Sequence, residues 1–211
     1  MPSHPIFIFL EHHVPSIGII MFRHVPPVDS IMFRVYKQIN EQPRGLAMNI
    51  FYLDHDPEIA AAYHCDKHVV CMIKETVQMM STAHRMLDGD EWADSVGLVK
   101  STHINHPSTI WVRSSVDHYY WMLQLLHHLC DQKLKRFGTP HMYTALLQPL
   151  SVIPDNIDDA GFTQPPACMP DEYKADCSVQ SYHNFYVGAK SHFAKWAHTE
   201  MPAWYAMRVF A

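Results

Sequence analysis

Two stretches of about thirty residues carry apolar side chains at helical spacing, and this constrains the fold more than any other feature of the sequence. Ile59, Tyr63, Val70, Ile73, Val77 and Met80 line one face of residues 57–85, and Trp111, Ser115, Tyr119, Met122, Leu126 and Leu129 line one face of residues 108–137. Steps of three and four put such residues on one side of an α-helix, and a striped helix of this kind must bury its stripe against a partner. Local signals mark the ends. Asp56 stands where an N-cap belongs, Pro57 fits the first helical position, and Asp88-Gly89-Asp90 closes the first helix. Lys133, Lys135 and Arg136 suit the negative end of the second helix, and Gly138 stops it. A shorter helix is expected over residues 139–150. A fourth, over 178–196, aligns Tyr182, Tyr186, Lys190 and Phe193. Between them, residues 151–177 contain Pro154, Pro165, Pro166 and Pro170 and read as a long loop. The expected fold is all-α: a single domain of about four packed helices, a short extended N-terminal segment near Ile50–Leu53, and a Pro-rich loop.

Residues 1–47 differ in kind, with scattered prolines and short apolar bursts that keep no period. Met48 then opens Met-Asn-Ile-Phe-Tyr-Leu-Asp, which reads like a protein start. Arg44-Gly45 can be encoded by purine-rich codons resembling a ribosome-binding site. Residues 1–47 are therefore expected to be a non-native or poorly ordered extension, and 48–211 the helical catalytic domain.

Composition narrows the function classes. No apolar run approaches the roughly 18–20 residues that cross a bilayer, and no secretory signal is legible. The five cysteines are irregularly spaced without a Cys-x-x-Cys pair, which favours reduced thiols in a cytoplasm. Net charge is −5, and residues 48–211, with 12 basic and 18 acidic side chains, stand at −6. A nucleic-acid ligand would then need a local basic patch. The 13 histidines of that segment could add charge below about pH 6.5. Glycine-rich phosphate loops and the G-x-S-x-G nucleophile elbow are absent.

The densest chemical constellation is His64-Cys-Asp-Lys-His68 followed by Lys74-Glu75. On one continuous helix, steps of four and seven bring His64, His68 and Glu75 to a common face. A carboxylate beside imidazoles suits acid–base work, although histidines at helix interfaces are also often structural. The same trio could ligate a metal. His103, His106, His118, His127 and His128 offer further ligands, with the adjacent His127 and His128 expected to point apart. Asp54-His55-Asp56 carries a much weaker His-Asp signal. Aromatic and basic residues also interleave: Trp111, Arg113, Tyr119, Tyr120 and Trp121 on the second helix, and Tyr182, Tyr186, Lys190, Lys195 and Trp196 on the fourth. Such strips either stack on bases and hold phosphates or pack helices.

Ala61-Ala-Tyr-His-Cys-Asp-Lys-His68-Val-Val-Cys-Met-Ile-Lys74-Glu75 resembles the first helix of the phage pyrimidine-dimer DNA glycosylase family, through a histidine followed seven residues later by a glutamate with a basic residue before it. The Met48-Asn-Ile opening and the Pro202-Ala-Trp-Tyr205 ending look similar too. His106-Pro-Ser-x-x-Trp111 and Met169-Pro-Asp-Glu-Tyr-Lys174 look like blocks of tailed-phage proteins. The resemblance implies a repair glycosylase with abasic-site lyase activity, acting on double-stranded DNA with a damaged pyrimidine and needing no cofactor. An N-terminal amine, of Met48 or of Asn49 after methionine removal, would attack C1′ of the sugar. Glu75 would move the protons, with His68 beside it. Lys67, Lys74, Arg113 and Lys190 are the candidate DNA contacts. Two other classes remain open: a metal-dependent hydrolase using His64, His68 and Glu75, and a non-enzymatic phage accessory protein binding through its aromatic surface.

Overall fold

The computed structural model describes residues 48–209; the expectation for residues 1–47 lies outside the described residues. The described chain is α-helical, with no strand among the described residues. No helix there is long and apolar enough to cross a membrane.

Each of the two expected long helices is divided. The first becomes α1 (Pro57–Tyr63) and α2 (Asp66–Leu87). Asp56 caps α1 as anticipated, its Oδ1 accepting from the backbone N–H of Glu58 at 2.8 Å and of Ile59 at 3.3 Å. Asp54-His55-Asp56 is thereby spent on local structure, since Asp54 accepts from the Asp56 N–H and His55 pairs with the Tyr52 hydroxyl. The chain then turns at His64 and Cys65. The cause is remote in sequence: the Arg136 guanidinium donates to the carbonyls of Ala62 and His64, both at 2.8 Å, and to Asp66 at 3.2 Å. It satisfies carbonyls that a continuing helix would have used. The Asp66 N–H meanwhile donates to the Lys195 carbonyl at 2.8 Å.

The second long helix becomes α4 (Pro107–Val112) and α5 (Val116–Phe137), with the short α3 (Asp90–Ser95) before them. Ser115, expected on the apolar stripe, instead caps α5, its Oγ accepting from the Asp117 N–H. Gly138, at φ 71°, ends α5 in the left-handed conformation that glycine adopts without strain. Residues 139–150 hold a 3₁₀ turn (Met142–Leu146) and the one-turn α6 (Leu147–Leu150) rather than a full helix. The expected fourth helix ends early. After α7 (Ser178–Phe185) the backbone widens into a π-helical turn, Tyr186–Lys190, and α8 (Ala203–Val209) follows a loop.

Helices α1 and α2 pack against α5, and α4 packs against α2. Val69, Met72, Ile73, Val77, Met80 and Ala83 of α2 meet Tyr119, Met122, Leu125, Leu126 and Leu129 of α5 in the core. The expected extended segment is present but is not a strand: every residue from Met48 to Leu53 is buried, and Phe51, at φ 50°, breaks the run. Arg85 secures the loop after α2, donating to the carbonyls of Leu98 and Val99 and pairing with Asp90 and Asp94.

Many histidines are neutral structural parts rather than a reserve of charge. The rings of His106, His118 and His141 accept hydrogen bonds from the backbone N–H groups of Ser108, Thr163 and Tyr143 respectively, which requires an unprotonated nitrogen. His64 is fully buried, with Nδ1 at 2.6 Å from the Ala60 carbonyl. Burial pushes His64 and His141 down to about 4. Folded values below the unfolded one give stability that is present above about pH 6.5 and lost as pH falls through about 4. Each of the two groups is expected to remove about 3 kcal/mol across that window. Thermal melts at pH 7, 6, 5 and 4 should therefore show a steep fall in Tm, and a flat profile would refute it.

Candidate functional site

The buried segment Met48–Leu53 lies against α2 and α7, and its second residue meets the glutamate. The backbone nitrogen of Asn49 donates to Glu75 Oε2 at 3.2 Å. Three further hydrogen bonds fix the Asn49 side chain. Its Nδ2 donates to the Cys168 carbonyl at 3.0 Å, and its Oδ1 accepts from the Ile50 N–H at 3.0 Å and from the Tyr182 hydroxyl at 2.5 Å. The same hydroxyl lies 2.9 Å from the Pro166 carbonyl. The Pro-rich loop thus supplies two carbonyls that hold residue 49 in register with Glu75. Met48 is buried, and the nitrogen facing the carboxylate belongs to Asn49.

Glu75 is half-buried, and burial pushes its carboxyl up to about 7 despite the Asn49 N–H, Lys74 and Lys190, which favour the charged form. A carboxyl poised there can both give and take a proton near neutrality. The Cys71 thiol, one turn before it, is pushed up to about 12 by burial and then by the Glu75 charge.

Phe51 is packed between α2 and α7. Its ring stacks on His68 at 4.3 Å between centroids and lies parallel to Phe185 at 6.2 Å. A bulky residue at positive φ carries backbone strain, and such strain tends to collect where function requires a set geometry. The Lys190 ammonium sits 4.5 Å from the Phe185 ring centroid and 6.0 Å from that of Phe51. Lys67 lies 4.4 Å from the Phe193 centroid.

The candidate residues therefore divide. Met48, Asn49, Glu75, Lys74 and Lys190 come together, with Lys67 close enough to Lys190 to disfavour its charge. His68 is two turns from Glu75. It is paired through Nδ1 with the Tyr186 hydroxyl, and burial holds it well below the usual imidazole range. It packs against the Phe51 ring and makes no hydrogen bond to Glu75. Arg113 is held elsewhere, donating to the Ile104 carbonyl at 2.8 Å beside the α4–α5 turn.

The His64/His68/Glu75 metal set is not assembled. His64 belongs to the break between α1 and α2, so the three residues do not share one helix. Among the described residues, the group of ligand atoms within 4.8 Å of one another is His127, His128 and Asp131 on the outer face of α5. The two adjacent rings converge there rather than pointing apart, and His127 Nδ1 lies 3.3 Å from Asp131.

Most of the expected aromatic surface is core. Trp111, Tyr119, Trp121, Tyr182, Tyr186 and Trp196 are buried, leaving Tyr120 about half exposed. A shallow apolar hollow is lined by Ile110, Trp111, Gln164 and Pro166, and Glu75 is not part of its lining. The residues that sequence reasoning missed are Tyr182 and Cys168 as clamps on Asn49, and Phe51. Tyr182 lay within the aromatic strip, but nothing local distinguished a clamp from a stacking face.

Compared with known proteins, the chain matches no family model, no curated protein and no solved structure.

Proposed function

We propose that this chain is a DNA-repair glycosylase with abasic-site lyase activity, in which the nitrogen of Asn49 is the nucleophile and Glu75 the proton carrier. The observation that supports this most directly is the 3.2 Å contact between that nitrogen and the Glu75 carboxylate, within a cluster of Lys67, Lys74 and Lys190. In the 211-residue chain the nitrogen is a peptide amide, which is not nucleophilic. The reaction therefore requires a chain that begins at Asn49, produced by a start at Met48 and removal of the methionine.

With a free amine at residue 49, the nitrogen attacks C1′ of the damaged nucleotide and the glycosidic bond breaks. Its electron pair leaves with the base, which takes up a proton from the Glu75 carboxyl. The carboxylate then accepts a proton from the new secondary ammonium and passes it to O4′ as the C1′–O4′ bond opens to a protonated imine, which leaves Glu75 ionised to take the C2′ proton. Loss of a C2′ proton expels the 3′-phosphate, and water releases the enzyme. Lys67 and Lys74 offset the charge balance of the chain by offering cations to phosphates beside Glu75. The substrate class is double-stranded DNA bearing a damaged pyrimidine in a cytoplasmic setting.

Borohydride reduction in the presence of an oligonucleotide with one abasic site tests this proposal. Protein expressed from Met48 is expected to form a covalent adduct that maps to the α-amine of Asn49. UV-irradiated DNA should then be incised by the same form. Well-folded protein that leaves abasic DNA intact and untrapped would rule out the lyase mechanism.

A further inference from the structure

Lys190 is expected from sequence to hold phosphate, but its surroundings suit a different task. It closes the π-helical turn Tyr186–Lys190, a local widening that interrupts α-helical register and recurs at functional sites. The turn is pressed against Tyr173. A Cβ on Gly188 would fall 2.3 Å from that ring, so any larger residue there would force the Tyr173 ring to move. Beyond this turn the Lys190 side chain reaches over Phe185 and toward Phe51, the strained residue two positions after Asn49. Among the described residues its Nζ contacts these two rings and makes no ion pair shorter than 4.0 Å. The ammonium is half-buried, and burial lowers its proton affinity. Lys67 lowers it further, whereas Glu75 and Cys65 oppose the shift. An amine desolvated by an apolar wall and faced by another cation is a lysine prepared for imine chemistry. A phosphate contact gains nothing from being packed against two phenyl rings.

We propose that Lys190 is a second imine-forming amine of this site, capturing the C1′ aldehyde of an abasic deoxyribose when Asn49 is internal to the chain. This rests on the glycosylase–lyase proposal above, because it takes the same sugar and the same carboxylate. The Nζ lone pair forms a bond to C1′. The carbonyl oxygen leaves as water, with one proton from the amine and one from Glu75, and a C=N bond results. The C2′–H bond then breaks, its proton passing to the Glu75 carboxylate. The C3′–O3′ bond breaks with its electron pair leaving on the 3′-phosphate. Water hydrolyses the imine and restores the lysine.

The experiment is borohydride trapping of the 211-residue chain and of the form started at Met48, each on an abasic-site oligonucleotide, with the reduced adduct located by peptide mass spectrometry. The expected result is an adduct on Lys190 in the 211-residue chain, lost in Lys190→Arg and in Lys190→Ala. In the shorter form the adduct should map to Asn49. Mapping the unsubstituted chain keeps the test independent of how either variant folds. An adduct on Asn49 of the short form, with none on the 211-residue chain, overturns the role of Lys190 and leaves the proposed function standing. Adducts scattered over Lys67, Lys74 and Lys195 overturn it as well. No adduct on either form overturns both.

Discussion

Glu75→Gln is expected to slow strand cleavage sharply while making the protein more stable at alkaline pH. Removal of the group that carries protons to and from the sugar and base should lower the rate by about 10²–10⁴-fold in protein started at Met48. The stability effect is read on the 211-residue chain, where Glu75 faces a neutral amide. Burial raises its folded value to about 7, above the ordinary carboxyl value. A raised folded value gives stability that is full below about pH 4.5 and lost as pH rises through about 7. At pH 8 the wild-type protein therefore holds a costly buried carboxylate, and the glutamine, whose Oε1 still accepts the Asn49 N–H, does not. A gain of about 1–3 kcal/mol at pH 8 is expected, shrinking toward zero at pH 5. Urea unfolding at the two pH values, beside incision assays, measures both halves. A variant that is inactive and equally destabilised at both pH values would show that Glu75 is a structural residue.

Arg136→Met should cost about 3–5 kcal/mol, the range for breaking a buried ionic contact by removing one partner. The guanidinium is buried and uses all three nitrogens: Nε donates to Gln132, Nη1 to the His64 carbonyl and Asp66, and Nη2 to the Ala62 carbonyl. Methionine fills much of the space but leaves two carbonyls and a carboxylate without their donor. Asp66 keeps one partner, the Ala197 N–H at 2.7 Å. Adding Asp66→Asn should consequently return part of the loss, and the double-mutant cycle gives the coupling directly. Because Arg136 holds the break before α2, the single variant should also weaken trapping at residue 49. An unchanged urea midpoint would show that the break is set by the local sequence alone.

Local sequence determined the all-α class and the places where helices begin and stop by short-range chemistry. The stripes of α2 and α5, the Asp56 cap and the left-handed Gly138 are all legible because their causes lie within a turn or two of chain. Glu75 entered through its spacing from His64 and His68 and residue 49 through a family resemblance, and no spacing rule joins the two. The 26 residues separating them are bridged only when Met48–Leu53 is buried beside α2. Tertiary structure alone decided the divisions of the long helices. Arg136 ends α1 from more than seventy residues away, and the Val116 N–H at the start of α5 donates to the Asp158 carbonyl. It also decided which aromatics are core. A stripe at helical spacing reads identically whether it faces solvent or a neighbouring helix, and only the partner surface distinguishes the two. Tyr182 and Cys168 clamp Asn49 across separations of 133 and 119 residues. A contact of that range leaves no periodic trace in the chain, so the geometry at Glu75 had to come from the fold.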